Sequence, residues 1–303
     1  MSLFLTIFTK NVLPAFLVIA MGVLLDRKLH VDKKSLSRTA IYILTPCLIF
    51  SSISRSAVSP GQFGQMILFV MIFTVLMAAL ALLVGHLLKW PARTRNALVL
   101  SVAFVNAGNF GLPIVLLAYG EAGLELATIF YVASNFTCNT LAAFFAARGN
   151  GSEWKAVLKA LKLPGIYAFI LAIVMRSLQV ATPEVLLKPI QIIAGATVPV
   201  MLMLLGIQLS QAHVGKRYKE IGVGVVMRLI VGALSAVALA PLMGLQNLAR
   251  QVAITEASTP TAVNSVLMAI EFDGDAEFVT SVLFVSTLLS SVTLTMIFSL
   301  LGA

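Results

Sequence analysis

The sequence predicts an all-α polytopic membrane protein: ten transmembrane helices in a 5+5 inverted repeat, with the fourth and ninth helices interrupted. Three observations predict it. Of the 303 residues, 59% are hydrophobic and only 11% charged, with a mean hydropathy of +1.00. A soluble domain carries about 25% charged residues, so this chain cannot cover a water-facing surface. Apolar stretches near 20 residues recur along the whole chain, separated by short polar connections. Finally, a shift of 153 residues aligns the two halves without a gap. These features exclude a cytosolic enzyme, a nucleic-acid-binding domain and a secreted disulfide scaffold. The net charge of +9 reads as basic cytoplasmic loops, and Cys47 and Cys138 both lie in apolar segments.

The ten spans fall at roughly 3–25, 36–54, 63–88, 96–118, 125–147, 163–181, 187–210, 220–243, 249–271 and 277–301. The first is read as a retained span, because its apolar run is long and ends on the anchor flank Asp26-Arg27-Lys28. Lys and Arg number 15 in the odd-numbered loops, among them Lys33, Arg93, Arg148, Lys155 and Lys216, against four in the even ones: Arg55, Arg176, Lys188 and Arg250. The positive-inside rule then places the odd loops in the cytoplasm and both termini outside.

Under the 153-residue shift, Pro46 falls on Pro199 and the short acidic loop Tyr119–Gly123 on Phe272–Ala276. Five spans per half is an odd number, so the halves run in opposite directions. The expected units are 1–147, a cytoplasmic connection at 148–162, and 163–303. Inverted repeats of this kind place a transporter site at the repeat interface.

The fourth span contains Asn106-Ala-Gly108-Asn109-Phe-Gly111-Leu-Pro113, and the ninth contains Thr259-Pro260-Thr261-Ala-Val-Asn264. Gly and Pro cost about 1 and 3 kcal/mol in a helix interior. Pro also frees the carbonyl four residues back, and in lipid a freed group must meet protein, water or ligand. Two interruptions at matching positions mark a binding site; two kinks packed in a bundle are the plainer reading. Asn106 and Asn109, with Asn135 and Asn139 one turn apart on the fifth span, offer amide donors and acceptors that bind a carboxylate or a cation without burying a charge. Polar glue between helices is their plainer role. Thr259, Pro260, Thr261 and Asn264 flank the second break, where a half-helix start suits an anion. The Thr hydroxyls could equally bond back to their own backbone.

One acidic residue, Glu256, lies well inside a span, one turn before Pro260. It is the expected proton-coupling group; the alternatives are a neutral Glu in the core or a partner for Arg228 in the eighth span. His30, His86 and His213 form no metal-ligand spacing. No phosphate-binding loop or hydrolase signature is present, so no cofactor, metal or enzymatic role is expected.

The runs Asn109-Phe-Gly-Leu-Pro-Ile114, Tyr119-Gly120 and Thr259-Pro-Thr-Ala-Val-Asn264 resemble those of the auxin efflux carrier family. Residues 148–162 replace the long central loop of plant members, as in the bacterial branch linked to small organic acids such as malonate. The resemblance extends to the crossover-helix fold of bile-acid symporters and sodium/proton antiporters. It implies that the interrupted helices cross, that spans 1, 2, 6 and 7 form a scaffold, and that spans 3–5 and 8–10 form a core moving by an elevator mechanism. A homodimer in the inner (plasma) membrane is also implied. The expected function is secondary transport of a small organic anion, a carboxylate, with a proton as coupling ion. A sodium-coupled symporter and a non-transporting ligand sensor are the alternatives, and no nucleic-acid partner is expected.

Overall fold

A computed structural model describes residues 3–150, 163–271 and 274–302. From residue 151 on, the expected central connection lies outside the described residues, as do Phe272 and Asp273 of the acidic loop. Regular structure among the described residues is helical, apart from one isolated antiparallel bridge.

We number the helices α1 (Leu3–Leu29), α2 (Lys33–Ser54), α3 (Pro60–Leu87), α4 (Ala92–Ala103), α5 (Leu112–Asn150), α6 (Pro164–Ser177), α7 (Glu184–Ser210), α8 (Tyr218–Leu242), α9 (Asn247–Ala257), α10 (Val263–Glu271) and α11 (Ala276–Leu301). Among the described residues, seven stretches are long and apolar enough to cross a membrane: α1, α2, α3, Ala107–Thr140, α7, α8 and α11. The other helices are too short to cross alone.

Local chemistry explains the boundaries. Asp32 caps α2 by accepting from the Lys34 and Ser35 N–H groups, both at 3.1 Å. Ser59, Pro60 and Gln62 open α3 with a reciprocal capping box and proline at the first helical position. The Asp275 carboxylate accepts from Phe278 N–H at the start of α11, and Gly302 closes that helix in the left-handed conformation (φ 71°). The π turns Phe8–Val12 and Ala40–Leu44 end just before Pro14 and Pro46. A proline there denies the carbonyl four residues back its donor, and the helix widens locally to accommodate the ring. Gly120 (φ 65°, ψ −160°) folds α5 into two arms, 112–119 and 121–150.

Unlike a soluble protein, the bundle is apolar on its exterior as well as in its core. Leu24, Leu83, Ile170, Ile192 and Leu234 are exposed, whereas Glu256 and Arg228 are fully buried. Lipid rather than water suits such an exterior. Gly22 of α1 and Gly206 of α7 bring two backbones into contact: a Cβ would lie 2.1 Å from Met203 O and 2.0 Å from Ile19 O, respectively. Small residues permit this close approach in a membrane, where dispersion drives helix association.

Candidate functional site

Two backbone breaks meet at the centre of the bundle. After Ala103 the chain leaves the helix, runs extended through Phe104 and re-enters helix in the π turn Ala107–Gly111. After Ala257 it is non-helical until Val263. The breaks pair antiparallel: Asn106 N–H donates to Pro260 O (2.9 Å), Ala262 N–H donates to Phe104 O (3.0 Å), and Val105 bridges Thr261. Pro260 offers only a carbonyl, and the pairing uses it as an acceptor.

Each break strands carbonyls at the end of a helix, and side chains meet them. The Ser265 hydroxyl donates to Leu100 O and that of Thr261 to Ser101 O, both at 2.7 Å. On the other break, Ser258 Oγ donates to Ile254 O (2.7 Å) and Thr259 Oγ1 to Glu256 O (2.6 Å). The Arg228 guanidinium donates to Val102 O and Ala257 O, one from each broken helix. The hydroxyls of Thr259 and Thr261 therefore satisfy the backbone.

Beside the breaks lies a cavity of about 420 Å³. Asn106, Asn109, Asn135, Asn139 and Asn264 line it; Thr259, Pro260, Thr261 and Glu256 do not. Its walls come from α2 (Ser37, Ile41, Thr45), α7 (Met201, Gln208), the start of α6, the second arm of α5 (Tyr131, Ser134), and α10. The cavity runs from the breaks toward the end of the bundle that carries Ser37, Leu163 and Glu271.

No Lys or Arg lines the cavity among the described residues. Its donors are amides, hydroxyls and the starts of two helices, at Ala107 and Val263. Asn135 Nδ2 donates to Tyr131 O (3.3 Å) and Asn139 Nδ2 to Asn135 O (2.8 Å). Asn109 Nδ2 reaches Gln208 Oε1 on α7 at 3.5 Å, the outer limit of a hydrogen bond. Asn106 is buried, and its Nδ2 has no partner among the described residues. Sequence reasoning missed Gln208, although a lone amide in the apolar run Leu204–Leu209 was a readable signal.

Glu256 sits behind the cavity wall. Neither carboxyl oxygen has a hydrogen-bond partner among the described residues. The carboxyl abuts the first turn of the helix leading into α5, where a Cβ on Gly111 would fall 2.0 Å from Oε2. Arg228 is not its partner: the ion pairs among the described residues are Lys188–Glu184 and Arg217–Asp275.

Apolar helices long enough to cross a membrane, around a largely apolar cavity into which a few amides and hydroxyls are set, fit an integral membrane protein of the transporter class. Comparison with known proteins agrees. The family model described as membrane transport protein matches residues 7–156 and 151–298, and the chain belongs to that family, the auxin efflux carriers. An uncharacterised transporter of Methanocaldococcus jannaschii is 27% identical over 85% of this chain and 86% of its own. One from Methanothermobacter thermautotrophicus is 27% identical over 94% of this chain and 96% of its own. A protein of Rhizobium meliloti with the provisional name malonate transporter is 26% identical over 95% of this chain and 93% of its own.

Proposed function

We propose that the chain is a secondary transporter that moves a small organic anion, a carboxylate of malonate's class, by elevator-type alternating access coupled to a proton. The observation that carries this reading is the unpartnered Asn106 Nδ2 donor at the cavity wall, beside a helix start. A buried donor without a partner costs about 1–3 kcal/mol, and a substrate carboxylate arriving there would remove that cost. A cavity without Lys or Arg holds an anion through amide donors and helix starts, so release does not require breaking an ion pair.

In this reading ten spans form a 5+5 inverted repeat, with units at 1–147 and 163–303. The span broken at 104–106 joins α4 to the first arm of α5, and the span broken at 258–262 joins α9 to α10. One contact supports the symmetry. Thr197 Oγ1 donates to Leu44 O (3.0 Å), two positions 153 apart, the shift that aligns the halves. Residues equivalent under a two-fold touch each other only near its axis. The antiparallel pairing of the two breaks is the arrangement such an axis would impose. Scaffold (spans 1, 2, 6, 7) and core (spans 3–5, 8–10) both contribute to the cavity wall, as a site carried across a fixed frame requires. The basic loops assign the cavity's outer end to the cytoplasm, with both termini outside, in the inner membrane. Glu256 is the proton carrier, buried and forming no ion pair among the described residues. A homodimer is the proposed assembly.

Uptake into proteoliposomes tests the whole reading. A panel of radiolabelled mono- and dicarboxylates, malonate included, is offered with and without a pH gradient, in sodium and in choline buffer. Saturable accumulation of a carboxylate, raised by the pH gradient and indifferent to sodium, is expected. Saturable binding without accumulation would make the protein a sensor, and strict sodium dependence would make it a sodium symporter.

A further inference from the structure

Arg228 is fully buried, yet no carboxylate among the described residues pairs with it. Its surroundings are built to hold it. It lies in a π turn, Met227–Val231, that interrupts α8. Such turns re-aim a side chain and gather at functional positions. The guanidinium lies over the Phe73 ring, 5.6 Å from its centroid. Gly232 leaves it room: a Cβ there would sit 2.6 Å from a guanidinium nitrogen. One terminal nitrogen donates to Val102 O and the other to Ala257 O.

Those carbonyls belong to the last turns of α4 and α9, the two helices that stop at the breaks. A helix end carries about −0.5 elementary charge. Two such ends converging on one point present about one full negative charge, made of carbonyl oxygens. Carbonyl oxygens at a broken helix are also what a transporter uses to coordinate a sodium ion.

We propose that Arg228 is a resident cation occupying the place at the paired breaks that a coupling sodium ion would otherwise take. It clamps the two broken helices to each other and leaves this point of the site with no use for an alkali cation. Arg228 is thus a positioning residue: it sets the breaks whose far sides carry Asn106, Asn109 and Asn264. The inference rests on the transporter reading, and its test needs no substrate.

Thermal unfolding of the detergent-purified full chain is followed at fixed ionic strength in sodium, potassium, guanidinium or choline chloride, each at low millimolar concentration. The wild type should melt at the same temperature in all four. Arg228→Ala should lose about 5–10 °C, since two buried carbonyls lose a charged donor. Sodium or guanidinium, but not choline, should restore at least half of that loss in a saturable manner. Arg228→Lys keeps the charge with one fewer fork and should fall between the two, without a cation effect. A purely structural role predicts the same loss with no difference among cations. Equal melting of Arg228→Ala in all four salts would overturn the proposal. So would saturable sodium stabilisation of the wild type, which stands as a test even where Arg228→Ala yields no folded protein. Failure of carboxylate uptake in proteoliposomes would refute the transport reading and leave these melting curves unchanged.

Discussion

Gly111→Ala tests the seat of Glu256. Gly111 closes the π turn that restarts the fourth span, and alanine is sterically free to adopt that helical backbone. Local propensity alone favours the change by about 1 kcal/mol. The added Cβ, however, would lie 2.0 Å from Glu256 Oε2, 2.6 Å from Cδ and 2.8 Å from Oε1. Every one of these is tighter than contacts real side chains make, and the carboxyl is fully buried, so it cannot swing into solvent. Overpacking of this kind costs about 1–3 kcal/mol. The clash therefore outweighs the propensity gain, and Gly111→Ala should destabilise the protein by up to about 2 kcal/mol, a few degrees of melting temperature. In a Glu256→Ala background the obstacle is gone and the sign reverses: the same change should become neutral or stabilise by up to about 1 kcal/mol. The coupling free energy of the cycle should fall at about 1–3 kcal/mol. Thermal unfolding of the four purified proteins in detergent measures it. An equal loss in both backgrounds would mean that the carboxyl does not rest against Gly111, and the placement of the proposed proton carrier would fail with it.

Asn106→Ala should leave melting unchanged or raise it, because it removes a buried donor without a partner, while raising the KM for carboxylate uptake by about 10–100-fold, the worth of one hydrogen bond to a charged group. Proteoliposome kinetics set beside melting curves would expose a merely structural Asn106, which would lose stability first. Glu256→Gln keeps the shape but cannot release a proton, so substrate-for-substrate exchange should persist while accumulation driven by a pH gradient fails; a variant still driven by the gradient would remove Glu256 from coupling. A reporter enzyme fused after Ala303 should be active only if it works outside the cytoplasm, and a cytoplasmic reading would end the inverted-repeat argument. At the start of α2 the Asp32 carboxyl is held below the usual carboxylate range by the Ser35 hydroxyl, then by the N–H groups of Lys34 and Ser35. Its capping stabilisation is therefore present above the unfolded-state value and lost as pH falls through the lower folded one. Hydrogen exchange at Lys34 and Ser35 should speed up below about pH 4, and Asp32→Asn should remove that dependence.

What the sequence made legible follows from range. Helix interruptions depend on neighbours, so the breaks beside Asn106 and at Pro260 could be read from a few residues at a time, whereas the caps at Asp32 and Ser59 start their helices ahead of the spans expected at 36 and 63. The Asn residues were legible for a similar reason: amides are rare in apolar spans, and all five line the cavity. Thr259 and Thr261 are a harder case. Whether a hydroxyl faces a ligand or a carbonyl depends on which carbonyls the break strands, and that is fixed only when α4 and α9 stop side by side. Gln208 was overlooked because its meaning lies across the cavity, in Asn109 on another span.

Arg228 shows the limit most clearly. Read along the chain, a lone cation and a lone carboxylate in neighbouring spans invite pairing, because formal charges are the only charges a sequence displays. The structure offers a different partner. The ends of α4 and α9 carry partial negative charge that appears in no residue count, and Arg228 is bound to both. Two half-charges match one guanidinium, so the cation is compensated without Glu256. The consequence reaches the proposed mechanism. A buried carboxylate without a paired cation is costly to keep charged, and in that mechanism a proton is the compensation it would acquire and give up. In the proposed mechanism a fixed cation at the helix ends and an unpaired carboxyl against Gly111 are two sides of one arrangement: the first would remove the need for sodium, and the second would supply a group able to carry a proton in its place.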